Sequence, residues 1–264
     1  MKGVDLAAYA RDGFLVLPGF LSAADCDALQ ARAAELVGGW DRRQGAAFST
    51  RDQRHARDLY FRESGGAIRF FSEEDSPGHL NKIGHALHDL DPVFDRVSRQ
   101  PRLAELAATL RIGEPLLLQS MYLFKQPRVG AEVGWHQDAT YLRTEPASVT
   151  GFWIALDDAD RDNGCLMALP GGHLGPLRQW FGYQDGELVT RTLDATPWPK
   201  VEPVALEARR GALIVLHGLL PHASAPNRLV RPRHAYALHL IDGRATYTAD
   251  NWLQRPHLPL RGFS

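Results

Sequence analysis

Leu116-Leu-Leu-Gln-Ser-Met-Tyr-Leu-Phe124 marks a change in the character of the chain. From it onward, short apolar runs alternate with a period near two and are bounded by Gly, Pro, Asn and Asp, the pattern of half-buried strands rather than of helices. The spacing predicts strands over 116–124, 133–136, 149–156, 165–169, 201–206, 212–217 and 233–241. The loops between them are too short for crossover helices, so the strands pair antiparallel. Many short strands in succession, preceded by a segment of different period, argue for a mainly β fold: a jelly-roll barrel or sandwich braced by flanking helices.

Working back toward the N-terminus, the first third reads as helical after one apolar run, Phe14 to Leu17. Ser22 with Asp25 forms an acidic variant of the capping box, and Leu29, Ala33 and Leu36 follow at helical spacing. Residues 40–78 show no sustained period and are expected to form a long excursion beside the core. Helical spacing resumes at Leu80, Ile83 and Leu87, and Asp91-Pro92 and Gln100-Pro101 each place a proline in a first helical turn. The expectation is a helical scaffold over about 1–112 and a β core over about 113–245, in a single domain spanning 1–264 with no repeat or linker.

The composition excludes several classes. In 264 residues, 30 basic and 31 acidic side chains leave a net charge of -1, and 44% of the chain is hydrophobic. That is a globular balance without the basic excess that nucleic acid or an anionic membrane would call for. Cys26 and Cys165 do not form a Cys-x-x-Cys pair, which fits a reducing compartment. With no uninterrupted apolar leader and no run of about 18 apolar residues, a cytoplasmic protein acting on a small molecule is expected; oligomeric state is silent.

Chemistry is suggested by Gly134-Trp-His-Gln-Asp138. On an extended segment, His136 and Asp138 point to one face, so an imidazole and a carboxylate converge. With a second histidine they make a 2-His-1-carboxylate triad, which leaves iron(II) open positions for a bidentate co-substrate and dioxygen. His222, where the apolar run Ala212 to Leu216 gives way to a turn, is the candidate partner. Arg233 opens the next apolar strand, where its fork can grip a carboxylate bidentately. With 11 His and 20 Asp in the chain, one His-x-Asp arises by chance; the joint placement carries the argument.

Leu80-Asn-Lys-Ile-Gly-His-Ala-Leu-His88, Gln119-Ser-Met-Tyr-Leu-Phe-Lys-Gln-Pro127, His136-Gln-Asp-Ala-Thr-Tyr-Leu142, Asn163-Gly-Cys-Leu166, Pro170-Gly-Gly-His173 and Asn251-Trp-Leu-Gln254 come in the order found in one family. Through them most of the chain resembles the phytanoyl-CoA dioxygenase family of Fe(II)- and 2-oxoglutarate-dependent oxygenases, with the likeness strongest toward its branch of phytanoyl-CoA dioxygenase domain-containing proteins. The resemblance implies a double-stranded β-helix, a cupin-like jelly-roll. It implies His136, Asp138 and His222 as iron ligands and Arg233 on the distal carboxylate of 2-oxoglutarate. It also implies Lys82, Met121, Trp153 and Ser224 as co-substrate contacts. The activity implied is hydroxylation of a small organic or acyl substrate with O2, releasing succinate and CO2. A carboxylate at Asp138 fills the position that related halogenases leave for chloride.

Two positions depart from the family pattern: Gly172, commonly Ser in relatives, and Trp135, often small or Pro and so bearing on pocket shape. Without the resemblance, Lys82 reads as a solvated surface charge and Met121 and Trp153 as core. His217 is the competing ligand, in a three-histidine cupin site. His239, in phase with Arg233, is expected to line the pocket, with His234 on the opposite face. Two other functions fit the same residues: a metal cupin that does not use 2-oxoglutarate, and a jelly-roll binding protein without catalysis.

Overall fold

A computed structural model of the chain describes residues 1, 3–41, 43–49 and 54–263. Its helices are α1 (Leu6–Asp12), α2 (Ala23–Gly38), α3 (Leu59–Arg62), α4 (Leu87–Leu90), α5 (Pro92–Ser98) and α6 (Pro101–Thr109). The strands of the first half are β1 (Phe14–Leu17), β2 (Ala46–Phe48), β3 (Ile68–Glu73), β4 (Ser76–His85), β5 (Pro115–Leu123) and β6 (Val133–His136). They continue as β7 (Thr144–Glu145), β8 (Thr150–Ala155), β9 (Leu166–Ala168), β10 (Gln179–Gln184) and β11 (Glu187–Thr192). The last are β12 (Val204–Leu206), β13 (Leu213–His217), β14 (His222–Ser224), β15 (Ala235–Asp242) and β16 (Thr246–Tyr247).

Eight strands form the major sheet in the order β1-β13-β8-β15-β5-β4-β3-β2, and four form a minor sheet, β12-β9-β14-β6. Only β2 joins its neighbour in parallel among the described pairs. One face of the major sheet packs on helices: Tyr122, Phe152, Ile154, Val215, Tyr236 and Leu238 lie beneath Leu29 of α2, Phe94 and Val97 of α5 and Leu103 and Leu106 of α6. Each such fully buried side chain contributes roughly 1.5–3 kcal/mol. The other face meets the minor sheet, where Trp153, Ala155, Ile214 and Ala237 pack on Leu166, Ala168 and Leu206. Two facing antiparallel sheets with helices outside one of them make a jelly-roll, and the site lies between the sheets. Among the described residues no helix is long and apolar enough to cross a membrane.

Several expected elements are present. Ser22 caps α2 by accepting from Asp25 N at 3.1 Å, and Pro92 and Pro101 open α5 and α6. The N-terminal third is not helical throughout: α1 to α6 lie in it, but β1, β2, β3 and β4 also fall before residue 113, and all four belong to the major sheet. The excursion over 40–78 contains β2, α3, β3 and the start of β4, with residues 50–53 outside the described set. Leu80 and Ile83 lie on β4 and not on a helix. Their odd separation mimics helical spacing because the register slips between them: Phe71 faces Lys82 while Ser72 faces Leu80. A bulge of this kind inserts one residue and reverses the alternation, so both side chains are buried.

Candidate active site

The site begins at the seam between β6 and β14. His136 closes β6, and His222 opens β14 as its direct Cα partner. Beyond His136 the backbone stays extended through Gln137 (φ -116°, ψ 135°) before a short 3-10 turn starts at Asp138. His136 and Asp138 therefore face the same way, as the sequence spacing requires. Gln137, between them, faces oppositely and is anchored. Its amide donates to Leu219 O at 2.8 Å and Pro176 O at 3.1 Å, and accepts from Arg178 N at 2.9 Å. This buried amide fixes the pitch at which the two flanking side chains enter the cavity.

His136 Nε2 lies 3.8 Å and His222 Nε2 3.6 Å from Asp138 Oδ1, and one ligand atom from each of the three falls within 4.8 Å of the others. The opposite nitrogens are committed: His136 Nδ1 is 2.8 Å from Gly134 O, and His222 Nδ1 is 3.0 Å from Leu220 O. A carbonyl can only accept, so Nδ1 carries a proton in both rings, and each Nε2 is the nitrogen turned inward, where the neutral tautomer offers a lone pair. Burial, reinforced by neighbouring His222, lowers His136 to about 4 and keeps it neutral at physiological pH. Burial alone would raise Asp138, but His222, His239 and His136 outweigh it and hold the carboxyl well below the usual range. Asp138 Oδ2 is buried without an aligned hydrogen-bond partner, although His239 Nε2 stands 3.3 Å away. Two imidazoles and a carboxylate around one point are the donor set of a divalent transition metal.

The triad opens on a cavity of about 370 Å³ between the sheets, and Arg233 reaches into the same cavity from two residues before β15. The residue is 3% exposed, and its guanidinium stands 5.2 Å from the centre of the Trp153 ring and donates from Nη2 to Gly164 O at 3.1 Å and Ser224 Oγ at 3.3 Å. Nε and Nη1 are buried with no acceptor. Burial lowers this guanidinium to about 10. Orphaned donors on a buried cation are costly, and a ligand carboxylate satisfies them in the fork geometry Arg is built for. Ser224, Met121 and Trp153 line the cavity as well.

Lys82 also lines the cavity, on strand β4 rather than on the exposed helix expected for it. Its ammonium is 3.2 Å from the centre of the Phe48 ring, and burial, against the field of Glu73, lowers it to about 7. His239 lines the cavity as expected, whereas His217 is elsewhere, its ring 5.0 Å from that of His173. The chain did not single out Lys125 or Gln119, both buried and cavity-lining. The signal was available: residues 119, 121, 123 and 125 share one face of an extended strand, the face of Met121. Trp135 lines the cavity at its rim, 36% exposed. Gly172 answers to packing, since a Cβ there would come within 2.6 Å of Pro221 Cδ.

A jelly-roll that gathers two histidines and a carboxylate at one end of a cavity, with a buried arginine in the same cavity, defines the class of non-haem metal oxygenase folds. Residues 9–235 match the family model described as phytanoyl-CoA dioxygenase (PhyH), and the chain belongs to that family. Among its relatives, "Phytanoyl-CoA dioxygenase 1" of Oryza sativa subsp. japonica is 42% identical over 270 residues, covering 97% of this chain and 95% of that one. "Phytanoyl-CoA dioxygenase domain-containing protein 1" of Bos taurus is 41% identical over 282 residues, covering 96% and 95%. Two solved structures share the fold. EctD from S. alaskensis with 2-oxoglutarate and 5-hydroxyectoine superposes with a TM-score of 0.70 at 21% identity, covering 98% of this chain and 85% of that one. The epimerase SnoN with Fe3+, alpha ketoglutarate and nogalamycin RO gives 0.69 at 21%, covering 97% and 91%.

Proposed function

We propose that the chain is an iron(II)- and 2-oxoglutarate-dependent dioxygenase that hydroxylates a small organic or acyl substrate, with release of succinate and CO2. The observation that carries this reading is the shared cavity: three convergent ligand atoms at one end and orphaned donors of Arg233 on its wall. The residues present fit the metal, since both Nε2 lone pairs and Asp138 Oδ1 face inward without competing protein hydrogen bonds. His136, Asp138 and His222 would hold it. Bound iron supplies the activation of dioxygen that decarboxylates the 2-oxo acid and oxidises the substrate.

The chain's own side chains do the rest. Arg233 binds the distal carboxylate and fixes the co-substrate's direction, while Ser224 Oγ, which accepts from Arg233, holds the guanidinium in place. Lys82 adds a desolvated cation to the same cavity, and Met121 and Trp153 wall it against water, which strengthens each ionic contact inside. The remaining wall is aromatic, with Phe48, Phe61, Tyr141 and Trp252 facing the cavity, and favours an apolar portion of the substrate.

Purified protein given iron(II) and 2-oxoglutarate labelled at C1 should release labelled CO2 and form succinate, slowly alone and faster with a substrate. Both should vanish in Asp138→Ala. Undiminished CO2 release by that variant overturns the ligand assignment.

A further inference from the structure

Lys125 is a buried cation that the family reading leaves without a role. It follows β5 in phase with Met121 and is 7% exposed. Its ammonium donates to Ala131 O at 2.6 Å and reaches Ser224 O at 3.4 Å. Its own carbonyl accepts from Arg233 N at 3.1 Å and from Asn227 Nδ2 at 3.0 Å. Both ends of one residue thus touch the backbones of Arg233 and Ser224, the two residues that the proposed reading places at the distal carboxylate. Gly164, whose carbonyl accepts from both Ser224 and Arg233, sits against the same stem: a Cβ there would lie 2.9 Å from Lys125 Cε. Glu73, which also accepts from Ala131 N, and Glu132 are the acidic neighbours of Lys125. Arg233 is a second cation close enough to oppose its charge.

Two carbonyl contacts do not require an ammonium, and burying one beside another cation is costly even with those two carboxylates near. A bound anion shared with Arg233 offsets that cost. We propose that Lys125 is a further cation of the co-substrate pocket, beside Arg233 and Lys82: it positions Arg233 and Ser224 and adds its field at the distal carboxylate of 2-oxoglutarate, while its grip on Ala131 ties that pocket to the segment entering β6 and His136. This rests on the assignment of Arg233 made above.

The test compares 2-oxoglutarate with 2-oxopentanoate, which differs only in lacking the distal carboxylate, on the Mn(II)-loaded protein by calorimetry. Lys125→Met should weaken 2-oxoglutarate about tenfold, the effect of one charged contact, and leave 2-oxopentanoate and Mn(II) affinity unchanged. Lys125→Gln, whose amide can keep both carbonyl contacts but carries no charge, should do the same, and decides the matter if the Met variant does not fold. Equal weakening of both 2-oxo acids, or of neither, overturns the proposal. Arg233→Met is the control. If it also fails to separate the two acids, the co-substrate assignment itself falls; if it separates them and the Lys125 variants do not, only the role of Lys125 falls.

Discussion

His136 and His222 face one another across β6 and β14, their rings 4.2 Å apart, and each gives its Nδ1 proton to the carbonyl two residues before it. The paired geometry leaves Asp138 as the one anionic donor. Replacing it by Ala should lower Mn(II) or Fe(II) affinity by at least about 100-fold, more than the loss of a supporting contact around a metal ligand costs. Metal titration of the purified variant, with circular dichroism to establish that it folds, checks this.

The proposed reading divides the co-substrate contact unequally between Arg233 and Ser224. Arg233→Met should raise KM for 2-oxoglutarate by roughly 100-fold or more, because it removes a desolvated charge. Ser224→Ala, which removes only a neutral partner of that charge, should raise it by about tenfold or less. Steady-state kinetics at saturating iron separates the two; a larger effect at Ser224 would reverse their roles.

On the proposed reading, Lys82 sets stability against binding. Its ammonium is buried over the Phe48 ring and pushed down to about 7 by desolvation. Lys82→Met fills the same volume without a charge, so thermal unfolding should shift upward by about 2–4 °C per kcal/mol regained. Affinity for 2-oxoglutarate should fall in the same variant. A drop in both would show that the lysine stabilises the fold instead.

Asp89 is 1% exposed in its side chain and is shared by Arg99 at 2.6 Å, Arg261 at 3.0 Å, Arg255 and His88. It ties α4 to the C-terminal segment that carries Trp252 to the cavity wall. Asp89→Ala leaves buried guanidinium groups uncompensated and should cost about 3–5 kcal/mol. Urea unfolding measures this; a loss below about 1 kcal/mol would mean the arginines find other partners.

His217 gives the apo-protein a pH dependence. Burial, then the nearby His173, lowers it to about 4, while the unfolded chain titrates near 6.5. Between those values the unfolded state binds a proton that the folded state refuses, so stability is complete above about pH 6.5 and declines as pH falls toward 4. Urea midpoints across that window should slope less in His217→Gln than in the parent.

The β-rich two-thirds and the His136, Asp138, His222 and Arg233 set were legible because alternation and strand-end placement are local properties. What escaped the sequence depended on irregular pairing. The bulge opposite Ser72 put Leu80 and Ile83 on one side of β4 at a helix-like separation, and so placed Lys82 on an imagined surface helix. The hairpin β10–β11 was missed although Asp185-Gly186 is a two-residue turn of the kind that demands positive φ at both positions, here 52° and 83°. Strand β14, three residues long behind Pro221, carries too little pattern to be read at all.

The pairing of β6 with β14 slips by a residue: His222 faces His136, but Ser224 faces Val133. The extra residue lies in Gly134-Trp135, and the indole of Trp135 stands at the rim of the cavity, one position before His136. Indole emission responds to quenching and to water at the ring, so the molecule carries its own optical gauge at the doorway, and the arrival of a paramagnetic ion or an organic guest can be followed in unlabelled protein by light alone.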